Sequence, residues 1–160
     1  MESKLQGKII LIVDDEPDIL SILEEEIKDA CVNCRIVKAE TYEWARDLMN
    51  STPFDLVILD IMGVRGFDLL EQAVNLNYIV VMLTAHALSS ENLRKAFEMG
   101  ARSYLPKEKI GSIVPFLEDV LSGDSHSSWQ KLFDKLGGFF TKRFGKNWQE
   151  EAEEILKKLK

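Results

Sequence analysis

The sequence is short of the residues that build zinc sites and disulfide frameworks. It contains only two cysteines, Cys31 and Cys34, and the two histidines, His86 and His126, are too scattered to complete a ligand set with them. A redox pair usually opens a helix after a strand, whereas this pair lies between a predicted helix and a predicted strand. We therefore expect two small buried thiols.

Long apolar runs are also missing. Residues 1–7 are mostly polar, and the apolar run from Ile9 to Val13 has the length of a strand, far below the ~20 residues that a spanning helix needs. The sequence indicates neither a secretory signal nor a membrane span, so we expect a cytoplasmic location.

The chain also lacks an excess of positively charged residues. The formal net charge is −7, and residues 1–123 hold 12 Lys and Arg against 21 Asp and Glu. Residues 124–160 are slightly basic, with 8 Lys and Arg against 6 Asp and Glu. A largely acidic body repels phosphates and disfavours binding to nucleic acid, but a local group of carboxylates suits a metal ion.

What the sequence does contain is an alternation of apolar runs and amphipathic segments, repeated five times. The predicted strands cover residues 8–13, 33–39, 55–59, 78–83 and 103–105. Continuous apolar strands alternating with helices predict an α/β fold, with a parallel sheet covered on both faces and therefore doubly wound. We expect one domain over residues 7–122, a linker over 123–127 and a helical extension over 128–160.

Polar side chains follow the predicted strands where they end. Strand one leads into Asp14 and Asp15, strand three into Asp60, strand four into Thr84 and strand five into Lys107. The carboxyl ends of parallel strands meet at one edge of a sheet, so these groups should converge. Carboxylates in such a group repel one another unless a cation lies among them, and their oxygens suit Mg²⁺ or Mn²⁺. One carboxylate would then be a nucleophile that forms an acyl phosphate.

The segments at these strand ends resemble the receiver domain of bacterial two-component response regulators. They read Leu-Ile-Val-Asp-Asp-Glu-Pro17, Leu-Val-Ile-Leu-Asp60-Ile-Met, Val-Val-Met-Leu-Thr84-Ala and Gly-Ala-Arg-Ser-Tyr104-Leu-Pro-Lys107. The resemblance implies a five-stranded, flavodoxin-like and CheY-like sheet, and a phosphorelay signalling switch rather than an enzyme. It implies a sensor histidine kinase or phosphotransfer protein as phosphodonor and a downstream protein target.

The resemblance also assigns roles to the site residues. Asp60 would accept the phosphoryl group, and Asp14, Asp15 and Asp60 would hold Mg²⁺ together with the backbone carbonyl of Met62.

The remaining roles concern binding of the phosphoryl group, the response to it and its hydrolysis. Thr84 and Lys107 would bind its oxygens, and Tyr104 would turn inward when Thr84 moves. Met62 and His86 would flank the water that hydrolyses the acyl phosphate, and of these two only His86 can orient water through a hydrogen bond.

The loop after Asp60 departs from the family pattern. Gly66 comes two residues earlier than the glycine of such domains, and their proline is absent. One alternative is therefore a degenerate receiver that binds partners without phosphorylation. A phosphatase of the haloacid dehalogenase type is a weaker alternative, because it needs an acid two residues after the nucleophile, where Met62 stands.

The extension carries two apolar stripes at helical spacing, and Gly137, Gly138 and Gly145 punctuate the chain between these two predicted helices. The stripes are Trp129, Leu132, Phe133 and Leu136, then Trp148, Ala152, Ile155, Leu156 and Leu159. A two-helix hairpin has too little core of its own, so the stripes must pack on the receiver, a second subunit or another protein. We favour a homodimer through these helices, coupled to the face around the fourth helix and fifth strand. A helix-turn-helix DNA reader normally needs three helices and is disfavoured.

Overall fold

A computed structural model describes residues 3–85 and 88–159, and its centre is a five-stranded sheet. The strands are β1 (Ile9–Val13), β2 (Arg35–Ala39), β3 (Leu56–Leu59), β4 (Val80–Thr84) and β5 (Ser103–Pro106). They are all parallel, in the order β2-β1-β3-β4-β5. This is the flavodoxin-like order of a doubly wound sheet, and the predicted fold class is confirmed.

Helices connect successive strands and cover both faces of the sheet. They are α1 (Pro17–Ala30), α2 (Tyr42–Ser51), α3 (Gly66–Asn75), α4 (Ser90–Glu98) and α5 (Ile113–Ser122), the last preceded by a 3₁₀ turn over Lys107–Ser112. Short polar side chains start two of them: the Thr41 hydroxyl accepts a hydrogen bond from the amide of Trp44 at 3.2 Å, and that of Ser89 from the amide of Asn92 at 3.0 Å.

The core lies on both sides of the sheet. Every residue of β3, β4 and β5 is buried, whereas β2 at the edge is largely half-buried or exposed. Cys31 and Cys34 are both buried and free, as expected from the sequence. The Cys34 thiol donates to the backbone oxygen of Cys31 at 2.9 Å, and burial raises its pKa to about 11, so it is an unreactive thiol at neutral pH.

Two further helices form the extension, α6 (Ser125–Phe144) and α7 (Trp148–Lys158). Helix α6 begins inside the predicted linker, because the carboxylate of Asp124 accepts a hydrogen bond from the amide of Ser127 at 2.8 Å and caps the helix. The connection from α5 to α6 is therefore shorter than residues 123–127.

Gly137 and Gly138 lie within α6, so the expectation that they separate two helices was wrong. Gly145 alone ends the helix, with a left-handed φ of 107°. The glycine pair weakens helix α6 by about 1 kcal/mol per residue relative to alanine, but burial of large side chains on both sides of the pair offsets that loss. Phe133 and Phe140 both contact the ring of Trp148 on α7, at centroid distances of 5.9 Å and 5.7 Å.

The α6–α7 hairpin packs on the α/β domain of its own chain, against α5, β5 and α4. Ion pairs surround the contact: the side-chain nitrogen of Lys135 lies 2.6 Å from a carboxylate oxygen of Asp119, and that of Arg143 lies 2.6 Å from Glu108. A homodimer through these helices stays a prediction. None of the helices in the described ranges is both long and apolar enough to cross a membrane.

Candidate functional site

The carboxyl edge of the sheet brings together the polar residues that the sequence places at the strand ends. Asp14 and Asp60 follow β1 and β3, Thr84 is the last residue of β4, and Lys107 follows β5 directly. Val13 pairs with Leu59 in the sheet, so Asp14 and Asp60 emerge side by side. Oxygen atoms of Asp14, Asp15 and Asp60 lie within 4.8 Å of one another. The predicted convergence of these side chains is what the structure shows.

The ammonium of Lys107 lies among the carboxylates. Its Nζ is 2.8 Å from Asp14 Oδ2, 3.2 Å from Asp60 Oδ2 and 3.7 Å from Glu16 Oε2, and the residue is 8% exposed. Burial disfavours the charged ammonium, but hydrogen bonds and charges from Asp14 and Asp60 outweigh it and raise the pKa of Lys107. Lys107 is therefore a fixed cation. Glu16 is a neighbour of the site that the sequence reasoning missed, although it directly follows the two aspartates.

The surroundings of the Asp60 carboxylate disfavour its anionic form. Its Oδ1 accepts a hydrogen bond from the amide of Ile61 at 2.8 Å, and its Oδ2 faces Lys107. Burial, followed by the negative charge of Asp14, raises the pKa of Asp60 to about 6. Burial also raises the pKa of Asp14, whose Oδ1 accepts a hydrogen bond from the amide of Glu16 at 2.9 Å.

One lysine does not neutralise this group of carboxylates. Three carboxylates against one ammonium leave a net negative charge, and burial is the main cause of the raised pKa values of Asp14 and Asp60. The donor set consists of hard carboxylate oxygens, and Asp15 is exposed at the mouth of the site. A small divalent cation such as Mg²⁺ fits this chemistry, and Asp14, Asp15 and Asp60 would hold it.

Two glycines let the loop between β3 and α3 pass close to the carboxylates. A Cβ on Gly66 would clash with the backbone oxygen of Asp60, and one on Gly63 would clash with Oδ2 of Asp15. Gly63 also has a φ of 83°, in the left-handed region. The sequence reasoning missed Gly63, although two glycines three residues apart in a loop after a buried strand were a usable signal.

Thr84 and Tyr104 lie on neighbouring strands beside this group and are fully buried. The hydroxyl of Tyr104 accepts a hydrogen bond from the amide of Ser89, the cap of α4, at 3.3 Å. Burial raises the pKa of Tyr104 to about 12, so its hydroxyl is neutral at ordinary pH. The Tyr104 side chain thus points inward and touches the start of α4.

A family model described as the response regulator receiver domain matches residues 10–114, which is well over half of the chain. This chain belongs to the receiver-domain family. The match runs from β1 into the start of α5, so it contains all the strand ends that form the site.

Sequence relatives agree with the family. The two-component response regulator ARR18 of Arabidopsis thaliana is 36% identical over 107 residues, covering 63% of this chain and 16% of that protein. The phosphate regulon transcriptional regulatory protein PhoB of Pseudomonas aeruginosa is 29% identical over 132 residues, covering 76% of this chain and 56% of that protein. The chain thus spans about half or less of the length of these curated relatives.

A solved structure with the same fold is a two-component response regulator of the LuxR family from Aurantimonas sp. SI85-9A1. Its TM-score is 0.66 at 24% identity, and the match covers 81% of this chain and 97% of that one. At this identity the likeness concerns the fold alone.

The predicted roles of two receiver-site residues, Met62 and His86, stay predictions. The Met62 side chain is 55% exposed, and the role of its backbone carbonyl as a metal ligand stays a prediction. His86 lies outside the described residues, so its suggested role in dephosphorylation also stays a prediction.

Proposed function

We propose that this receiver accepts a phosphoryl group on Asp60 from a sensor histidine kinase or a phosphotransfer protein, with Mg²⁺ at the site. The supporting observation is that Asp60 lies within 4.8 Å of the carboxylate oxygens of Asp14 and Asp15 and 3.2 Å from Lys107 Nζ. The site therefore combines a nucleophile, a set of cation ligands and a fixed positive charge.

The residues divide the chemistry among them. A carboxylate oxygen of Asp60 attacks phosphorus, the bond from phosphorus to the donor's imidazole nitrogen breaks, and an acyl phosphate forms. Asp14, Asp15 and Asp60 would hold Mg²⁺, which would supply positive charge to the phosphoryl oxygens. Lys107 exchanges its contact with the Asp60 carboxylate for one with a phosphoryl oxygen, and the hydroxyl of Thr84 binds another.

The output that we propose is a change in the face that carries the α6–α7 hairpin. Thr84 ends β4 and pairs with Pro106 on β5, the strand that also carries Tyr104. Tyr104 contacts the amide of Ser89 at the start of α4. Helix α4 in turn contacts the hairpin, because Phe97 packs edge to face on Trp129 at 5.5 Å. A movement of Thr84 toward a phosphoryl group would pass along these contacts to the hairpin and to any downstream protein that binds there. We place this switch in the cytoplasm, where such phosphodonors act.

Incubation of the full chain with Mg²⁺ and acetyl phosphate, followed by intact mass, tests the proposal. The wild-type chain should gain one phosphoryl group, and Asp60→Asn should gain none because the amide is not a nucleophile. Asp18→Asn is a matched control, since this exposed aspartate in the first turn of α1 lies outside the three-aspartate group. An unlabelled wild-type chain would favour a receiver that binds partners without phosphorylation.

A further inference from the structure

The residue that closes the loop after Asp60 has an unusual backbone conformation. Arg65 precedes α3 with φ 54° and ψ 54°, in the left-handed region that side chains with a Cβ avoid. Among the described residues, Asn77 is the only other non-glycine with a positive φ. Asparagine tolerates this region well, whereas arginine does not, so contacts elsewhere must hold Arg65 there.

The strongest contact of the Arg65 side chain is with Tyr42, the first residue of α2. Its guanidinium carbon lies 4.0 Å from the centre of the Tyr42 ring, a close cation–π distance. Its Nε also lies 2.9 Å from Asp68 Oδ2, but both side chains of that pair are more than half exposed, so it adds little. The stacking connects the loop to α2, which starts at the same edge of the sheet.

The loop that Arg65 closes lies directly against the metal-binding carboxylates. There is no room for a Cβ between Gly66 and the backbone oxygen of Asp60, or between Gly63 and the carboxylate of Asp15. The amide of Gly66 also donates to the backbone oxygen of Ile61 at 2.9 Å, which closes the loop. A change of φ at Arg65 would therefore move the backbone that confines Asp15.

We propose that Arg65 is a positioning residue, which by stacking on Tyr42 holds the loop over residues 61–65 in the shape that orients Asp15 for Mg²⁺. This inference rests on the proposed Mg²⁺ site. The contact between Arg65 and Tyr42 orders a loop that is two residues shorter than the family pattern.

The test measures Mg²⁺ affinity by titration calorimetry on the full chain, without a phosphodonor, together with the melting temperature of each variant. Arg65→Ala and Tyr42→Ala should weaken Mg²⁺ binding roughly tenfold, the usual effect of removing a residue that orients a metal ligand. Tyr42→Phe keeps the ring face and Arg65→Lys keeps a cation, so both should retain most of the affinity. Arg46→Ala is the matched control, because Arg46 lies farther from the same ring, at 5.7 Å, and belongs to α2 itself.

Arg65→Gly separates positioning from a merely structural role. Glycine adopts a positive φ freely, so the melting temperature should stay the same or rise while Mg²⁺ affinity falls. A structural role would move both quantities in the same direction. If wild-type and Arg65→Ala bind Mg²⁺ equally, the inference is wrong while the proposed site stands; if the wild-type chain binds no Mg²⁺, both are wrong.

Discussion

The indole nitrogen of Trp129 donates a hydrogen bond to the backbone oxygen of Ala101 at 3.0 Å, which ties helix α6 to the turn before β5. Trp129 is fully buried, and its ring contacts Phe97 on α4 edge to face. Phe133 contacts the same indole, with the ring centres 5.8 Å apart. Trp129 is therefore a large buried anchor near the start of the extension, in addition to the contacts that α6 and α7 make with α5, β5 and α4.

Trp129→Ala should lower the free energy of unfolding of the full chain by about 3–5 kcal/mol, because it leaves a large cavity. Trp129→Phe keeps most of the apolar burial but removes the donor to Ala101, so about 1–3 kcal/mol should be lost. Urea unfolding measures both. Losses below about 1 kcal/mol for the alanine variant would show that the hairpin contributes little to the stability of the receiver.

Gly137→Ala and Gly138→Ala should each raise the free energy of unfolding by about 0.4–1 kcal/mol. Both glycines lie inside α6 with nothing within 4 Å of an added Cβ, so alanine improves the helix without a clash. Gly63→Ala is the opposite case, because its Cβ would collide with Asp15 and its φ is left-handed. It should destabilise the chain in the same unfolding measurement. A loss of stability at both helical positions would contradict the ordinary helical packing of α6.

The site was predictable because it depends on local patterns. An apolar run followed by a carboxylate or an ammonium identifies a strand end, and parallel topology brings such ends to one edge. Asp14, Asp60 and Lys107 could therefore be placed together from the sequence. The Arg65–Tyr42 contact could not, since it joins the residue before α3 to the first turn of α2, and their relative position depends on how the two helices pack.

The extension shows a second limit of sequence reasoning. Its apolar stripes predicted helices, but a stripe does not say whether the receiver, a second subunit or another protein covers it. In the packed chain the hairpin lies against α4, β5 and α5 of its own receiver. Glycine propensity placed a break at Gly137 and Gly138. Burial of Phe133 and Phe140 against Trp148 outweighed that preference, which is the usual outcome when tertiary packing opposes a weak local term.

Asp60→Asn should stabilise the chain when Mg²⁺ is absent. The raised pKa of Asp60 means that its negative charge is disfavoured in the folded state, by burial and by Asp14. A neutral amide avoids that penalty, so the free energy of unfolding near pH 7 should rise by on the order of 1–3 kcal/mol. Asp18→Asn should show no such gain. Added Mg²⁺ should reduce the difference between Asp60→Asn and wild type, because the cation favours the carboxylate; an unchanged difference would argue against a metal ligand at Asp60.

Mg²⁺ binding should weaken as the pH falls through about 6, because protons compete with the cation for Asp60. The stability of the metal-free chain depends on pH in the opposite direction. The pKa of Asp60 is raised from 3.8 to about 6 in the folded state. Its contribution to the free energy of unfolding is therefore complete below about pH 4 and is lost as the pH rises to about 6. The increase in melting temperature caused by saturating Mg²⁺ should therefore be larger at about pH 7.5 than at about pH 5. Asp60→Asn should reduce this pH dependence, because residue 60 no longer titrates. The part that remains comes from Asp14, whose pKa is also raised. Thermal scans with and without Mg²⁺ across this range measure the effect, and an equal Mg²⁺ shift at both ends for the wild-type chain would mean that the carboxylates do not bind the cation.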